Sequence, residues 1–252
     1  MRQMATTIPS PALSPPSGYW ALSRLPLPSL IFISPLLVGY EAGVILLGPQ
    51  AARNGAAVWL QRFLDAIGFG QYFLLPVLTV SVLLGWHHTT RQPWRVPTWV
   101  YWGMAVESAL LAVCLRVILQ LQGMLHGMLL DVSLGEAAGP MQHLVQFLKT
   151  GVSFLGAGIY EELLFRLVML SLALWLLGWS KLPRWARILL AVLVTSLLFS
   201  AAHYVGGREP IFGFSFVFRS LAGVFFAFLF LYRGFGIAVG AHAGYDILVG
   251  LV

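Results

Sequence analysis

Cysteine is all but missing from this chain: the only one, Cys114, sits in an apolar run beside Leu115. A single thiol excludes a disulfide framework and a cysteine-based metal site, and it leaves the redox compartment open. Charge is scarce too. Only 10% of the 252 residues are Asp, Glu, Lys or Arg, against roughly 25% in a soluble domain. With 59% of its residues hydrophobic, such a chain cannot clothe a water-facing surface, so lipid is expected to be the solvent for most of it. An internal repeat is lacking, as is the early apolar core of a cleavable signal peptide. Residues 1–28 instead gather Pro9, Pro11, Pro15 and Pro16 with several serines, and read as a disordered tail.

What is present is a series of apolar segments separated by short polar ones. A span needs about 20 mostly apolar residues. Seven stretches reach or approach that length, at roughly 29–48, 71–87, 98–122, 152–177, 186–203, 213–232 and 235–252. The segment 51–68 sets Arg53, Arg62 and Asp65 among Trp59, Leu60, Phe63 and Leu64, the pattern of an amphipathic helix lying at the interface. Residues 140–151 form a second candidate of that kind, feeding directly into the fourth span. The expected fold is therefore all-α: a polytopic transmembrane helix bundle of about seven spans with one or two interfacial helices. Residues 29–252 would form one domain, with its polar motifs in a core of about 152–252.

The net charge of +6 raises the question of nucleic acid. The 15 Lys and Arg residues are scattered through the loops rather than clustered, as topology signals and contacts to anionic lipid require, and no nucleic-acid partner is expected. With the N-terminus inside, the cytoplasmic loops hold Arg2, Arg24, Arg91, Arg95, Lys181, Arg184, Arg187 and Arg233, and the outer side only Arg53, Arg62, Lys149 and Arg208. That excess places the N-terminus in the cytoplasm and the C-terminus outside. Trp59, Trp86, Trp94, Trp99 and Trp179 fall near the proposed span ends, where an aromatic belt would lie.

Charged groups inside a span cost about 2.5–3.5 kcal/mol each on insertion scales, so each is a functional candidate. The chain has Glu41, Glu107, Arg116, Glu161, Glu162, Arg166, His203, Arg219, His242 and Asp246 in such positions. Three groups have informative spacing. In Glu161-Glu162-Leu163-Leu164-Phe165-Arg166 the second acid and the arginine are i and i+4 and can pair on one helix face. Glu161 is turned about 100° away, with no local cation facing it, which suits a group that takes a proton from water or holds a metal. In Phe199-Ser200-Ala201-Ala202-His203 the aromatic ring lies one turn before the histidine. In His242-Ala243-Gly244-Tyr245-Asp246 the polar pair is again i and i+4, among small residues that let another helix approach closely. Each group alone also fits a structural role: an ion pair, an interfacial histidine, a helix-packing hydrogen bond. Together they form the inventory of a buried site that activates water, through a metal or by carboxylate–histidine chemistry. Glu41, Glu107, Arg116 and Arg219 read as structural or cavity-lining; Arg219 could offset Asp246 or a glutamate. His87, His88, His126 and His143 are given no role.

The order E-E-L-L-F-R, F-S-A-A-H, H-A-G-Y-D resembles the EExxxR, FxxxH and HxxxN/D signature of the CAAX-protease/bacteriocin-processing family, which includes the type II prenyl endopeptidases. The resemblance covers about residues 155–250 and implies an intramembrane endopeptidase, of metallo- or glutamate type, acting on a peptide or membrane-protein substrate. It makes Glu161 the group that activates water and His203 its partner, with Glu162 and Arg166 in support. His242 and Asp246 would stabilise the oxyanion or help bind a metal. The Asp at the end of the third motif, where prenyl endopeptidases have Asn, adds charge that favours a cation such as zinc, with Glu161, His203, His242 and Asp246 as ligands. On the expected topology the site opens outward, which points to a bacterial inner-membrane protein trimming an anchored or exported peptide. A transporter or channel using the same buried charges is the alternative, but the half-repeats and broken helices it calls for are not evident in the sequence. A non-catalytic immunity or partner protein is the other, and it gives no reason for an acid like Glu161.

Overall fold

The structure is a computed structural model describing residues 18–48, 55–66, 68, 74–125, 140–204 and 213–250. The described residues contain helices and turns and no strand. A short helix α1 (Tyr19–Leu22) precedes α2 (Pro26–Leu47), α3 (Gly55–Ala66), α4 (Leu74–Thr89) and α5 (Trp99–Leu125). α6 (Pro140–Gly156) runs without a break into two π-helical stretches, Ala157–Glu161 and Leu163–Leu170, and then into α7 (Ser171–Leu177). α8 (Arg184–Ala202), α9 (Phe214–Arg233) and α10 (Phe235–Gly250) complete the bundle. Four helices, α2, α5, α8 and α9, are long and apolar enough to cross a membrane. The expected count of seven is not reached by that measure: α4 and α10 have 16 residues each, and the fourth expected span is divided by π-helical turns.

The tail expected over 1–28 gives way to helix earlier than its proline content suggests. Pro26 occupies the first turn of α2, where a missing N–H costs nothing and the fixed φ suits the helix. Residues 1–17 lie outside the described residues, as does His126. The 51–68 segment is helical over Gly55–Ala66 as its amphipathic pattern requires, and residues 140–151 do lead directly into the motif-bearing helix.

The outer faces of the long helices carry Val38, Val106, Leu110, Val113, Leu193 and Leu197 exposed, which is stable only where lipid replaces water. The centre of the bundle is α10. It packs against α2, α5, α9 and the first π-helical stretch, and Phe235, Ile237, Ala238, Val239 and Ala241 are fully enclosed. Gly234, at φ 88, allows the chain to leave α9 and start α10 at once, a left-handed conformation that other residues adopt at a cost.

A polar clamp ties the N-terminal segment to this centre. Arg233, at the end of α9, meets Glu107 Oε1 at 2.5 Å and Oε2 at 2.8 Å, and Ser23 Oγ at 3.0 Å. Its guanidinium lies 3.7 Å over the Trp20 ring, and the Tyr19 hydroxyl donates to Glu107. Burial, reinforced by that carboxylate, pushes the Tyr19 pKa up, so the phenol stays a donor. Glu107, read from the sequence as structural or cavity-lining, thus pairs with α9. Arg233 differs from its expected place in a cytoplasmic loop: it is buried, because Glu107 on α5 supplies the carboxylate that makes burial affordable. Glu41, beyond Pro35 in α2, accepts a hydrogen bond from the Tyr160 hydroxyl at 2.8 Å.

Candidate active site

All six motif residues converge on one place between the π-helical segment, the end of α8 and the middle of α10. Their approach begins with Gly158. A Cβ there would fall 2.7 Å from Ala243 Cβ and 2.9 Å from its backbone nitrogen, so only glycine lets the two helices come this close. The neighbouring Glu161 and Glu162 are thereby carried up to His242. The π-helical winding of Ala157–Glu161 and Leu163–Leu170 was not legible in the sequence, and π-helical turns are frequent at functional sites.

Glu162 is fully buried and stands between two cations or donors. Arg166 Nε lies 3.2 Å from Oε2, the i, i+4 pair expected from the motif, and His242 Nδ1 lies 2.8 Å from Oε1. Because a carboxylate paired with a guanidinium accepts, Nδ1 carries the hydrogen and donates. Arg166 is held from its other sides by the Gly223 carbonyl at 3.3 Å and by the Phe199 ring 4.4 Å beneath its carbon. The His242 ring is stacked on Phe226 with centroids 4.4 Å apart and an interplanar angle of 13°. Tautomer and ring orientation of His242 are thus fixed from two directions, and Nε2 is left facing the reactive side.

On that side lies Glu161. One oxygen, Oε1, is 3.7 Å from His203 Nε2, and the other, Oε2, is 3.7 Å from His242 Nε2. The carboxylate sits between two imidazoles, at separations longer than a direct hydrogen bond. His203 is the most exposed member of the group. Its Nδ1 donates to the Phe199 carbonyl at 2.9 Å, since a carbonyl only accepts, and this turns Nε2 toward Glu161. Phe199 therefore holds His203 by its backbone and by an edge-on ring contact at 5.0 Å, while its ring also supports Arg166. Asp246 Oδ2 is 3.7 Å from His242 Nε2.

A cavity of about 400 Å³ opens beside these groups, lined by His203, His242 and Asp246 with Phe226, Ser215 and Arg219. Its size lies within the range of ligand sites. The motifs contain no hint of Phe226, one of 17 phenylalanines, or of Ser215 and Tyr204, whose hydroxyls meet at 2.5 Å. Arg219, expected to offset Asp246 or a glutamate, donates to the Tyr204 hydroxyl at 3.0 Å, and the near partner of Asp246 is His242. Among the described residues no group of three or more His, Cys, Asp or Glu side chains is arranged to hold an ion; the Nδ1 contact of His242 with Glu162 leaves Nε2 as its free donor atom toward Glu161 and Asp246.

The family model for type II CAAX prenyl endopeptidases, Rce1-like, matches residues 143–248, a stretch that contains every one of these site residues. No curated protein and no solved structure matches the chain. The four long apolar helices indicate an integral membrane protein, and the matched family is one of proteases. Residues 143–248 thus resemble the type II CAAX prenyl endopeptidase Rce1-like family, in agreement with the signature shared with CAAX-protease/bacteriocin-processing proteins.

Proposed function

We propose that the protein is an intramembrane endopeptidase in which Glu161 activates the water that attacks a substrate peptide bond. The observation that carries this reading is the position of the Glu161 carboxylate between His203 Nε2 and His242 Nε2, at 3.7 Å from each. A water beside Glu161 and His203 gives a proton to the carboxylate as its oxygen attacks the carbonyl carbon. The charge that develops on the carbonyl oxygen is met by an Nε2–H of His242, whose ring Glu162 holds through Nδ1. As the carbon–nitrogen bond breaks, protonated Glu161 returns its proton to the leaving amine, giving a carboxylic acid and a free amine. Glu162 and Arg166 touch neither water nor substrate in this scheme; they position His242 and balance charge.

We favour glutamate-type chemistry over a zinc mechanism because, among the described residues, no group of three or more His, Cys, Asp or Glu side chains is arranged to hold an ion. The orientation inferred from loop charge puts the N-terminus in the cytoplasm and the cavity toward the outer face of a bacterial inner membrane, so the substrate is an exported or membrane-anchored peptide.

The test is cleavage of quenched-fluorescent peptides by the purified protein, wild type beside Glu161→Gln and His203→Ala, with thermal unfolding as the folding control. Loss of turnover by at least about 100-fold in both variants, with folding intact, supports the assignment. Wild-type rates in either variant refute that residue's role. A chelator that abolishes activity, restored by added zinc, would move the mechanism to a metal. A reporter fused to the C-terminus and found in the cytoplasm would overturn the outward-facing orientation.

A further inference from the structure

The π-helical stretch Ala157–Glu161 is held from two sides. On one side Gly158 lies against Ala243 of α10. On the other the stretch meets α2. A Cβ on Gly156, the residue before it, would collide with the Tyr40 ring, and that ring meets Tyr160 edge-on with centroids 5.3 Å apart. Tyr160 is fully buried, and its hydroxyl donates to Glu41 Oε1 at 2.8 Å. α2 thus grips the stretch at both ends, beside Gly156 and through Tyr160, the residue that precedes Glu161. Tyr40, Glu41 and Tyr160 line a cavity of about 210 Å³ with Arg62 and Asp65 of α3, and its lining shares no residue with that of the cavity holding His203 and His242. Glu41 therefore bears on the reacting groups through Tyr160 and not across the substrate cavity. An acid retained within a span is costly, and uncommon backbone winding persists only where its surroundings over-determine it.

We propose that Glu41, acting through the Tyr160 hydroxyl, is a positioning residue that keeps this stretch in its π-helical winding and so holds Glu161 between His203 and His242. This rests on the protease reading, because it takes Glu161 to be the group that activates water. The π winding closes i→i+5 hydrogen bonds where an α-helix closes i→i+4, so relaxation toward α winding turns the later side chains about the helix axis relative to Gly158. Gly158 sets how closely α10 approaches, but it has no side chain to resist that turn. Tyr160 does: it is adjacent to Glu161, and a hydrogen bond at the tip of a long side chain opposes rotation with the greatest leverage. The Glu161 carboxylate lies 3.7 Å from each imidazole, and a displacement of about 1 Å at such a site can cost on the order of 100-fold in rate.

The experiment compares full-length Tyr160→Phe, Glu41→Leu, Glu41→Gln and Tyr160→Phe/Glu41→Leu with wild type and Glu161→Gln. Cleavage of quenched-fluorescent peptides gives kcat and KM, hydrogen exchange is followed over residues 156–166, and thermal unfolding is the folding control. Tyr160→Phe removes one oxygen and keeps the ring, so the protein should still fold. Its kcat should fall about 10–100-fold with KM within about twofold, since the substrate cavity is untouched. Glu41→Leu should act in the same way, and Glu41→Gln, whose amide oxygen still accepts, should recover part of the loss. The double variant should be no slower than the slower single one, because both break the same contact. Exchange over 156–166 should quicken in Tyr160→Phe and Glu41→Leu while α5 and α8 stay as in wild type. Wild-type kcat in Tyr160→Phe, losses that multiply in the double variant, or exchange over 156–166 that is unchanged or rises only with the whole protein overturns the proposal. If wild type cleaves no faster than Glu161→Gln while Tyr160→Phe still loosens 156–166 alone, the protease reading falls and the tether stands.

Discussion

Glu162→Gln is the most informative single change, because one fully buried carboxylate serves both Arg166 at 3.2 Å and His242 Nδ1 at 2.8 Å. Glutamine keeps the shape but offers one acceptor oxygen and one NH2 group. Whichever neighbour meets the NH2 is left donor against donor. Arg166, only 2% exposed, then loses its counter-charge, and breaking a buried pair from one side costs about 3–5 kcal/mol. At roughly 2–4 °C per kcal/mol for a chain of this size, the melting temperature should fall by on the order of 10 °C. Glu162→Gln/Arg166→Met removes the stranded cation as well and should recover most of that loss, since replacing both members of a buried pair by apolar groups is often neutral. Turnover should not follow stability. Without an anionic acceptor on Nδ1, His242 loses the contact that orients it, and cleavage should stay about 100-fold down, the scale of one missing oxyanion donor. Thermal unfolding and peptide cleavage on the same preparations decide it. A double variant with near-wild-type turnover would refute the reasoning, because Glu162 would then matter only as the partner of Arg166.

Three further outcomes follow from the packing. Phe226→Ala removes the ring stacked on His242 and opens a cavity in the core, so a loss of about 3–5 kcal/mol is expected by thermal unfolding, together with a lower kcat. Gly158→Ala drives a methyl to 2.7 Å from Ala243 Cβ. The helices must part, stability should drop by about 1–3 kcal/mol, and turnover should fall by up to about 100-fold as Glu161 retreats from His242; Gly158→Ala/Ala243→Gly should recover part of both. Glu107→Gln releases the clamp on Arg233, Tyr19 and Trp20. It should destabilise the protein by about 1–3 kcal/mol while leaving kcat within about twofold, because Arg233 lies at the end of α9 beyond the cavity, about 10 Å along the helix from Phe226, the cavity residue nearest to it on α9, at 1.5 Å per residue. A large loss of kcat in a folded Glu107→Gln protein would show that the clamp and the site are coupled.

Composition alone determined that lipid surrounds this chain, since 10% charge cannot cover a soluble surface, and the cost of burying charge singled out Glu161, Glu162, Arg166, His203, His242 and Asp246. Local periodicity also gave the Glu162–Arg166 pair, because i and i+4 share a face whatever the rest of the bundle does. It could not give the contacts between helices. That Glu162 also holds His242, that Glu161 lies between two imidazoles, and that Arg233 is buried on Glu107 depend on which faces meet across 80 to 126 residues of chain. Spacing rules carry no information at that range. The π-helical turns were likewise hidden, since they change the angle between successive side chains without altering the apolar pattern that marks a helix. Nor could the sequence single out Phe226 among its phenylalanines or place Arg219 in the same cavity as His203. Those roles arise only when α9 lies against α8 and α10, because a cavity is made by the packing of several helices and belongs to none of them alone.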